Sequence, residues 1–231
     1  MWEEFQSMFR LGILHIADGT DHILFLMTLL LASTAQLTNF KQLLIRLLKL
    51  VTAFTIGHSL ALMAGSFKWV VLPSAPVEVA IALTILLSAI HLLWPIWKGW
   101  ELLVVLFFGT IHGLAFAGLM MEINEASSIL FIDLLGFNLG IEALQVVIML
   151  VFVPMLYCIG KGPWYLPFKR ISSYSCIAAG TVWFFERIGW EWSVLHNFYW
   201  TFTHWIVLTT IILILAVFSC KFKDKQSPLG R

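Results

Sequence analysis

Four ionisable side chains fall within eight positions near the N-terminus, in the string His15-Ile16-Ala17-Asp18-Gly19-Thr20-Asp21-His22, inside a stretch that is otherwise largely apolar. Imidazole and carboxylate together suit a divalent cation, and imidazole favours nickel, cobalt, zinc or copper over magnesium. On a helix, at about 100° per residue, His15 and His22 lie about 20° apart on one face and Asp18 about 60° to one side. Asp21 lies about 120° from His15, within reach if Gly19 loosens the local helix. Further along the chain, His58 follows Thr52 and Thr55 and precedes Ser59. His112 stands in Gly109-Thr110-Ile111-His112-Gly113. Gly109, Gly113 and Ala117 recur every four positions, a pattern that lets two helix backbones approach closely and turns His112 toward protein. Asn138, Glu142 and Gln145 follow i, i+4, i+7 and form one polar stripe.

The elements that must carry these residues are set by composition. Of 231 residues, 60% are hydrophobic and only 12% charged, with a mean hydropathy of +0.92. A soluble domain carries about twice that share of charge, so a soluble globule is excluded, as is disorder. The net charge of +1 gives no sign of a nucleic-acid partner. Cys158, Cys176 and Cys220 show neither metal spacing nor a paired framework. Seven apolar stretches are read, over 8–32, 47–67, 77–97, 102–121, 129–159, 171–187 and 203–220. Each is near the length of about 20 residues that a helical span needs, the sixth being the shortest. Helices are expected because backbone groups cannot stay unpaired in lipid, and no strand alternation repeats as a barrel would require.

The fold class expected is therefore all-α: a polytopic integral membrane protein of about seven transmembrane helices in one bundle. Residues 1–220 form a single transmembrane domain and 221–231 a short basic cytoplasmic tail. With the N-terminus outside and the C-terminus inside, eleven of the fourteen Lys and Arg residues fall on the inner side. The acidic start Met1-Trp2-Glu3-Glu4 reads as a retained first span rather than a signal peptide. Trp94, Trp97, Trp100, Trp164, Trp190, Trp192, Trp200 and Trp205 lie near span ends, as an interfacial aromatic belt does.

An ionisable group inside a span costs at least about 2.5–3.5 kcal/mol, so each has to be accounted for. His15 to His22 fall in the outer half of the first span, and His58, His112, Asn138 and Glu142 near the midplane of theirs. Four spans thus bring His, Asp, Asn and Glu to similar depth. The expected ligands are His15, Asp21, His22, His58, His112 and Glu142, supported by Asp18, Asn138 and Gln145. Plainer roles are expected elsewhere. Glu78 reads as a helix N-terminal cap, His91 as structural, Glu186 and Arg187 as an interfacial pair, His196 and His204 as interfacial, and Asp133 as a guard of the outer mouth. The long fifth span contains Pro154 and is expected to tilt or kink.

The string His15-x-x-x-Gly19-x-Asp21-His22 with Ile23-Leu24-Phe25-Leu26 resembles the HupE/UreJ family. So do Val51 to Ser59, Val77-Glu78, Phe108-Gly109-x-x-His112-Gly113-x-x-Phe116-Ala117 and Phe137-Asn138-x-Gly140-x-Glu142, in the same order. Ile16 stands where the better-studied branch has Pro, which places the chain nearer the less-studied branch. The resemblance implies a multi-pass permease of the bacterial inner (plasma) membrane, associated with nickel or cobalt supply for hydrogenase and urease. It implies a metal-handling role for His15, Asp21 and His22 and, less directly, for His58, His112, Asn138 and Glu142. It also leaves room for metalloenzyme maturation proteins or a second copy of the chain as partners, besides the lipid bilayer.

Three function classes are weighed. The first is a permease for a divalent ion, with nickel or cobalt most favoured. It has no nucleotide-binding loop and is driven by the ion gradient or the membrane potential. The second is a zinc-dependent intramembrane hydrolase or transferase acting on a lipid or membrane-anchored substrate, with Glu142 or Asp21 as general base on metal-bound water. The third is a structural or chaperone subunit, which leaves the cost of the buried ionisable groups unexplained.

Overall fold

A computed structural model of the chain describes residues 2–34, 39–123, 131–190, 212 and 214–217. Among these residues there are helices and no strands. The helices are α1 (Trp2–Asp18), α2 (Thr20–Thr34), α3 (Phe40–Ser66), α4 (Ser74–Leu93), α5 (Glu101–Ile123), α6 (Phe131–Gly160) and α7 (Tyr165–Arg187). Three of them, α3, α4 and α6, are long and apolar enough to cross a membrane, and α1 with α2 together would be a fourth. Leu135, Leu139, Val147, Leu150 and Val151 point outward along α6, and Leu102, Leu103 and Phe107 along α5. Apolar side chains exposed along whole helices fit a lipid environment. The seventh apolar stretch lies almost wholly outside the described residues, although Ile212 and Ala216 are buried in the main apolar cluster. His196, His204, Cys220, Trp192, Trp200, Trp205 and the tail also lie outside the described residues.

The expected first span is not one straight helix. α1 and α2 meet at Gly19 with a bend of 73°. The backbone N–H of Gly19 still donates to the His15 carbonyl, and its own carbonyl accepts from Ile23, so both half-helices are closed by the glycine itself. A Cβ there would stand 2.7 Å from His22 Nδ1 and 2.8 Å from the His15 carbonyl oxygen. Glycine therefore suits both the bend and the crowding around it.

Two helix pairs carry the tightest packing, α3 with α5 and α1 with α6. Both are glycine seams. A Cβ on Gly57 would stand 2.0 Å from the Leu106 carbonyl oxygen, one on Gly109 2.1 Å from that of Phe54, and one on Gly113 2.3 Å from that of His58. On the other pair, Gly12 meets Phe137 and Gly140 meets Phe9, each at 2.1 Å. Such distances mean backbone lying on backbone, the small-residue contact by which helices associate in lipid. α2 and α4 close the bundle between the two pairs, and α7 covers α4.

Other expectations are refined. Lys41, Arg46 and Lys49 lie on a helix that starts before the expected 47–67 stretch, because α3 begins at Phe40 behind Asn39, whose Oδ1 accepts from the Lys41 and Gln42 amides at 2.9 and 3.4 Å. An N-cap of this kind satisfies donors that the helix leaves free. Glu78 does not cap α4. Its carboxylate lies 3.7 Å from Arg187 Nε and ties α4 to α7, and the guanidinium also covers Trp183. Trp97 lies in the turn after α4, stacked on His91 at 4.6 Å, which gives that histidine its packing role. α6 continues through Pro154 to Gly160 as one helix. Cys176 is a buried free thiol.

The seams make a direct prediction. Gly113→Leu forces a side chain against backbone that cannot step aside, and should destabilise the bundle by about 3 kcal/mol, the upper end for overpacking. Gly160→Ala, whose Cβ would have 3.6 Å of clearance, should leave stability unchanged. Thermal unfolding of the two variants in detergent checks this.

Candidate metal centre

The bend at Gly19 and the two seams converge on one place. His15 ends α1, Asp21 and His22 begin α2, His58 follows Gly57 on α3, and His112 lies between Gly109 and Gly113 on α5. The ring centroids of His15 and His22 are 4.7 Å apart, those of His15 and His58 5.8 Å, and those of His22 and His112 4.9 Å. Ligand atoms of His15, His22 and His58 lie within 4.8 Å of one another, and so do those of Asp21, His22 and His112. The two groups share His22. Phe116 and Phe137, stacked at 4.4 Å, wall the cluster beside His15.

The hydrogen bonds fix which nitrogens are free. His22 Nδ1 is 3.0 Å from Asp21 Oδ1. A carboxylate only accepts, so Nδ1 carries the proton and Nε2 keeps a lone pair. Thr84 of α4 donates its single hydroxyl proton to the Ile81 carbonyl at 2.7 Å, and its oxygen lies 2.9 Å from His112 Nε2. That oxygen must therefore accept from Nε2–H, which leaves Nδ1 of His112 as the lone pair. His15 Nε2, His22 Nε2, both nitrogens of His58 and Nδ1 of His112 are buried without a hydrogen-bond partner among the described residues. Buried polar groups are nearly always paired, and each orphan costs about 1–3 kcal/mol. His91 shows the ordinary alternative, since its Nδ1 accepts from the Trp97 amide at 3.5 Å while its ring stacks on the indole. A cluster of unpaired imidazole lone pairs around shared space is a donor set that suits a transition metal. Asp21 and Thr84 act as the partners that hold such ligands in one tautomer.

The remaining expected residues divide. Asn138 is buried on α6 close to His58. Its Nδ2 donates to the Leu134 carbonyl at 2.8 Å, and its Oδ1 is unpaired. Asp18 is exposed at the end of α1 and lines a cleft of about 510 Å3 that reaches His15, Asp21, His22 and His112. Glu142 and Gln145 are not brought to the histidines. Glu142 accepts from Thr52 at 2.8 Å and Gln145 from Thr55 at 3.2 Å, which pairs the polar stripe of α6 with that of α3. Asp133 sits in the first turn of α6.

Thr84 is the residue that sequence reasoning missed. The available signal was the i, i+4, i+7 spacing of Thr84, Ser88 and His91, three buried polar groups on one face of an otherwise apolar helix. Residues 1–187 match the sequence model of a family described as HupE / UreJ protein. No curated protein and no solved structure matches the chain. That match takes in every helix that contributes to the histidine cluster, and the chain belongs to the HupE / UreJ protein family.

Proposed function

We propose that this chain is a permease for a divalent transition metal, nickel or cobalt above others, in a bacterial inner membrane. The observation that carries the reading is the buried set of imidazole lone pairs, reached from a cleft of about 510 Å3. Family membership adds the association with nickel and cobalt supply that the sequence motifs imply. The ion is the cargo. His15, His22 and His58 form one set of ligands and Asp21, His22 and His112 the other. Asn138 steadies His58, and Asp18 draws cations toward the cleft. Glu142, bonded to Thr52 about 9 Å along α3 from His58, balances charge deeper in the bundle.

The same reading takes residues 1–220 as one domain of seven spans, with the N-terminus outside and 221–231 as a cytoplasmic tail. The charge distribution supports this orientation. The cleft then faces the outside, and the histidines replace part of the ion's hydration shell as it enters. Binding of this kind must be reversible for the ion to leave again.

The test is nickel binding and uptake by the full chain. Purified protein, washed with chelator and titrated with nickel(II), should bind reversibly, and His22→Ala should weaken binding by more than about 100-fold, since it removes the shared ligand. One tightly retained zinc per chain, lost in His22→Ala, would replace the permease with the hydrolase reading. No metal bound under any condition would overturn both.

Thr84 gives a sharper prediction. Thr84→Val keeps the side-chain shape and removes the acceptor for His112 Nε2–H, and should lower nickel affinity about 10–100-fold. Thr84→Ser should restore most of it. Isothermal titration of the three proteins decides the matter.

A further inference from the structure

A second polar compartment lies on the other side of the histidine cluster from the cleft. The cleft uses Ile81 of α4 and His112, Ala115 and Phe116 of α5. The second cavity uses residues one to three turns away along the same helices, toward Ser88 and His91 on α4 and toward Glu101 on α5. α2 also runs from one to the other, with Asp21 and His22 at the cleft and Thr28 and Ser33 at the cavity. α3 adds Arg46 to the cavity wall. Six polar side chains, Thr28, Ser33, Arg46, Ser88, His91 and Glu101, thus surround a space inside helices that are otherwise strongly apolar.

The two compartments differ in size. The cleft measures about 510 Å3 and the cavity about 30 Å3, room for about two waters. Three buried rings stand between the cavity and the histidines. Phe25 lies 5.1 Å from Phe54 and 6.0 Å from Phe108, and Phe54 lies 5.3 Å from His112. At its far end the cavity meets an ion pair, Arg46 to Glu101 at 3.0 Å, whose carboxylate also accepts from the Gly99 amide at 2.8 Å. One edge bypasses the aromatic layer with polar groups. His112 bonds Thr84, and Ser88 donates to the Thr84 carbonyl one turn further on.

We infer that the cavity is the exit vestibule of the transport path: an ion released from the histidines passes Phe25, Phe54 and Phe108 along the Thr84–Ser88 edge of α4, and leaves where Arg46 is neutralised by Glu101. The inference rests on the permease reading and adds the route. The structure is then the state open toward the cleft and closed toward the vestibule. Polar groups on α4 offer a dehydrated cation oxygen atoms where the three rings offer none. Glu101 is needed beside the path because an unpaired Arg46 would repel the cargo. On the proposed orientation the vestibule faces the cytoplasm.

The experiment uses the full chain in liposomes that hold a fluorescent nickel chelator, with nickel(II) added outside and nickel affinity measured separately in detergent. Ser88→Leu fills the vestibule, and should cut the initial uptake rate roughly tenfold, as a blocked pore does, while binding stays within about twofold. Ser88→Cys keeps the path open during assembly. A bulky methanethiosulfonate reagent should then reduce its uptake and spare both its nickel affinity and the uptake of the wild type, which carries the native cysteines as control. Glu101→Gln should slow uptake more than it weakens binding, and Arg46→Gln with Glu101→Gln should recover much of the rate. A purely structural ion pair would lower thermal stability and nickel binding along with uptake in Glu101→Gln, so unfolding temperatures are measured for both variants. Wild-type rates in the labelled Ser88→Cys protein, or a double variant no faster than Glu101→Gln, would overturn the route and leave the permease reading standing. Wild-type uptake no faster than that of protein-free vesicles would overturn both.

Discussion

Everything at the candidate metal centre depends on two places where helix backbone lies directly on helix backbone. A histidine reaches only a few ångströms from its helix axis, so helices held apart by ordinary side chains could not bring four imidazoles into one group. Gly57, Gly109 and Gly113 bring α3 and α5 together, and Gly12 and Gly140 do the same for α1 and α6. Each seam carries candidate site residues beside its glycines: His58 and His112 on one, His15 and Asn138 on the other. The seams set the depth of the polar groups as well as the distance between the helices. In lipid, where no hydrophobic force drives helices together, close packing of this kind is itself a main source of association.

The bend at Gly19 supplies what the seams cannot. On a straight helix, His15 and His22 would be separated by two turns, about 10 Å along the axis. Turning the chain by 73° between them brings the rings to 4.7 Å. It also places the start of α2 at the cluster, with Asp21 and His22 in its first turn. A broken helix at membrane depth survives only where its freed backbone groups meet protein or a water-filled cavity. Here Gly19 uses both its own N–H and its own carbonyl, and the cleft lies alongside.

Much of this was legible in the sequence because ionisable residues in a very apolar chain are few and conspicuous. His15, Asp21, His22, His58 and His112 could be picked out by type and depth, and the Gly109–Gly113–Ala117 pattern correctly turned His112 inward. The helical periodicity argument grouped His15 with His22, yet for a different reason from the one the structure gives, since the helix breaks between them. Glu142 shows the limit. Depth along a span does not say which neighbour a side chain faces, and Glu142 faces Thr52 rather than the histidines. The partners of Thr84, Arg46 and Glu101 were illegible for a related reason, although the spacing of Thr84, Ser88 and His91 did mark a polar face. A threonine in an apolar helix usually bonds its own backbone, and charges near a span end usually read as loop, so only tertiary contacts reveal their partners.

Two overlapping ligand sets bear on how such a site can pass an ion on. A complete cage of four fixed ligands would hold a transition metal too firmly for transport, because leaving would mean breaking every bond at once. On the proposed function, His15, His22 and His58 make one incomplete set, and Asp21, His22 and His112 another. In the permease reading, an ion moving between them exchanges two ligands and keeps His22 throughout. The second set contains a carboxylate where the first has none, and it adjoins Thr84, the head of the polar edge of α4. Moving from the first set to the second therefore carries the ion from imidazole toward oxygen ligands. These bind nickel and cobalt more weakly, which favours release in that direction.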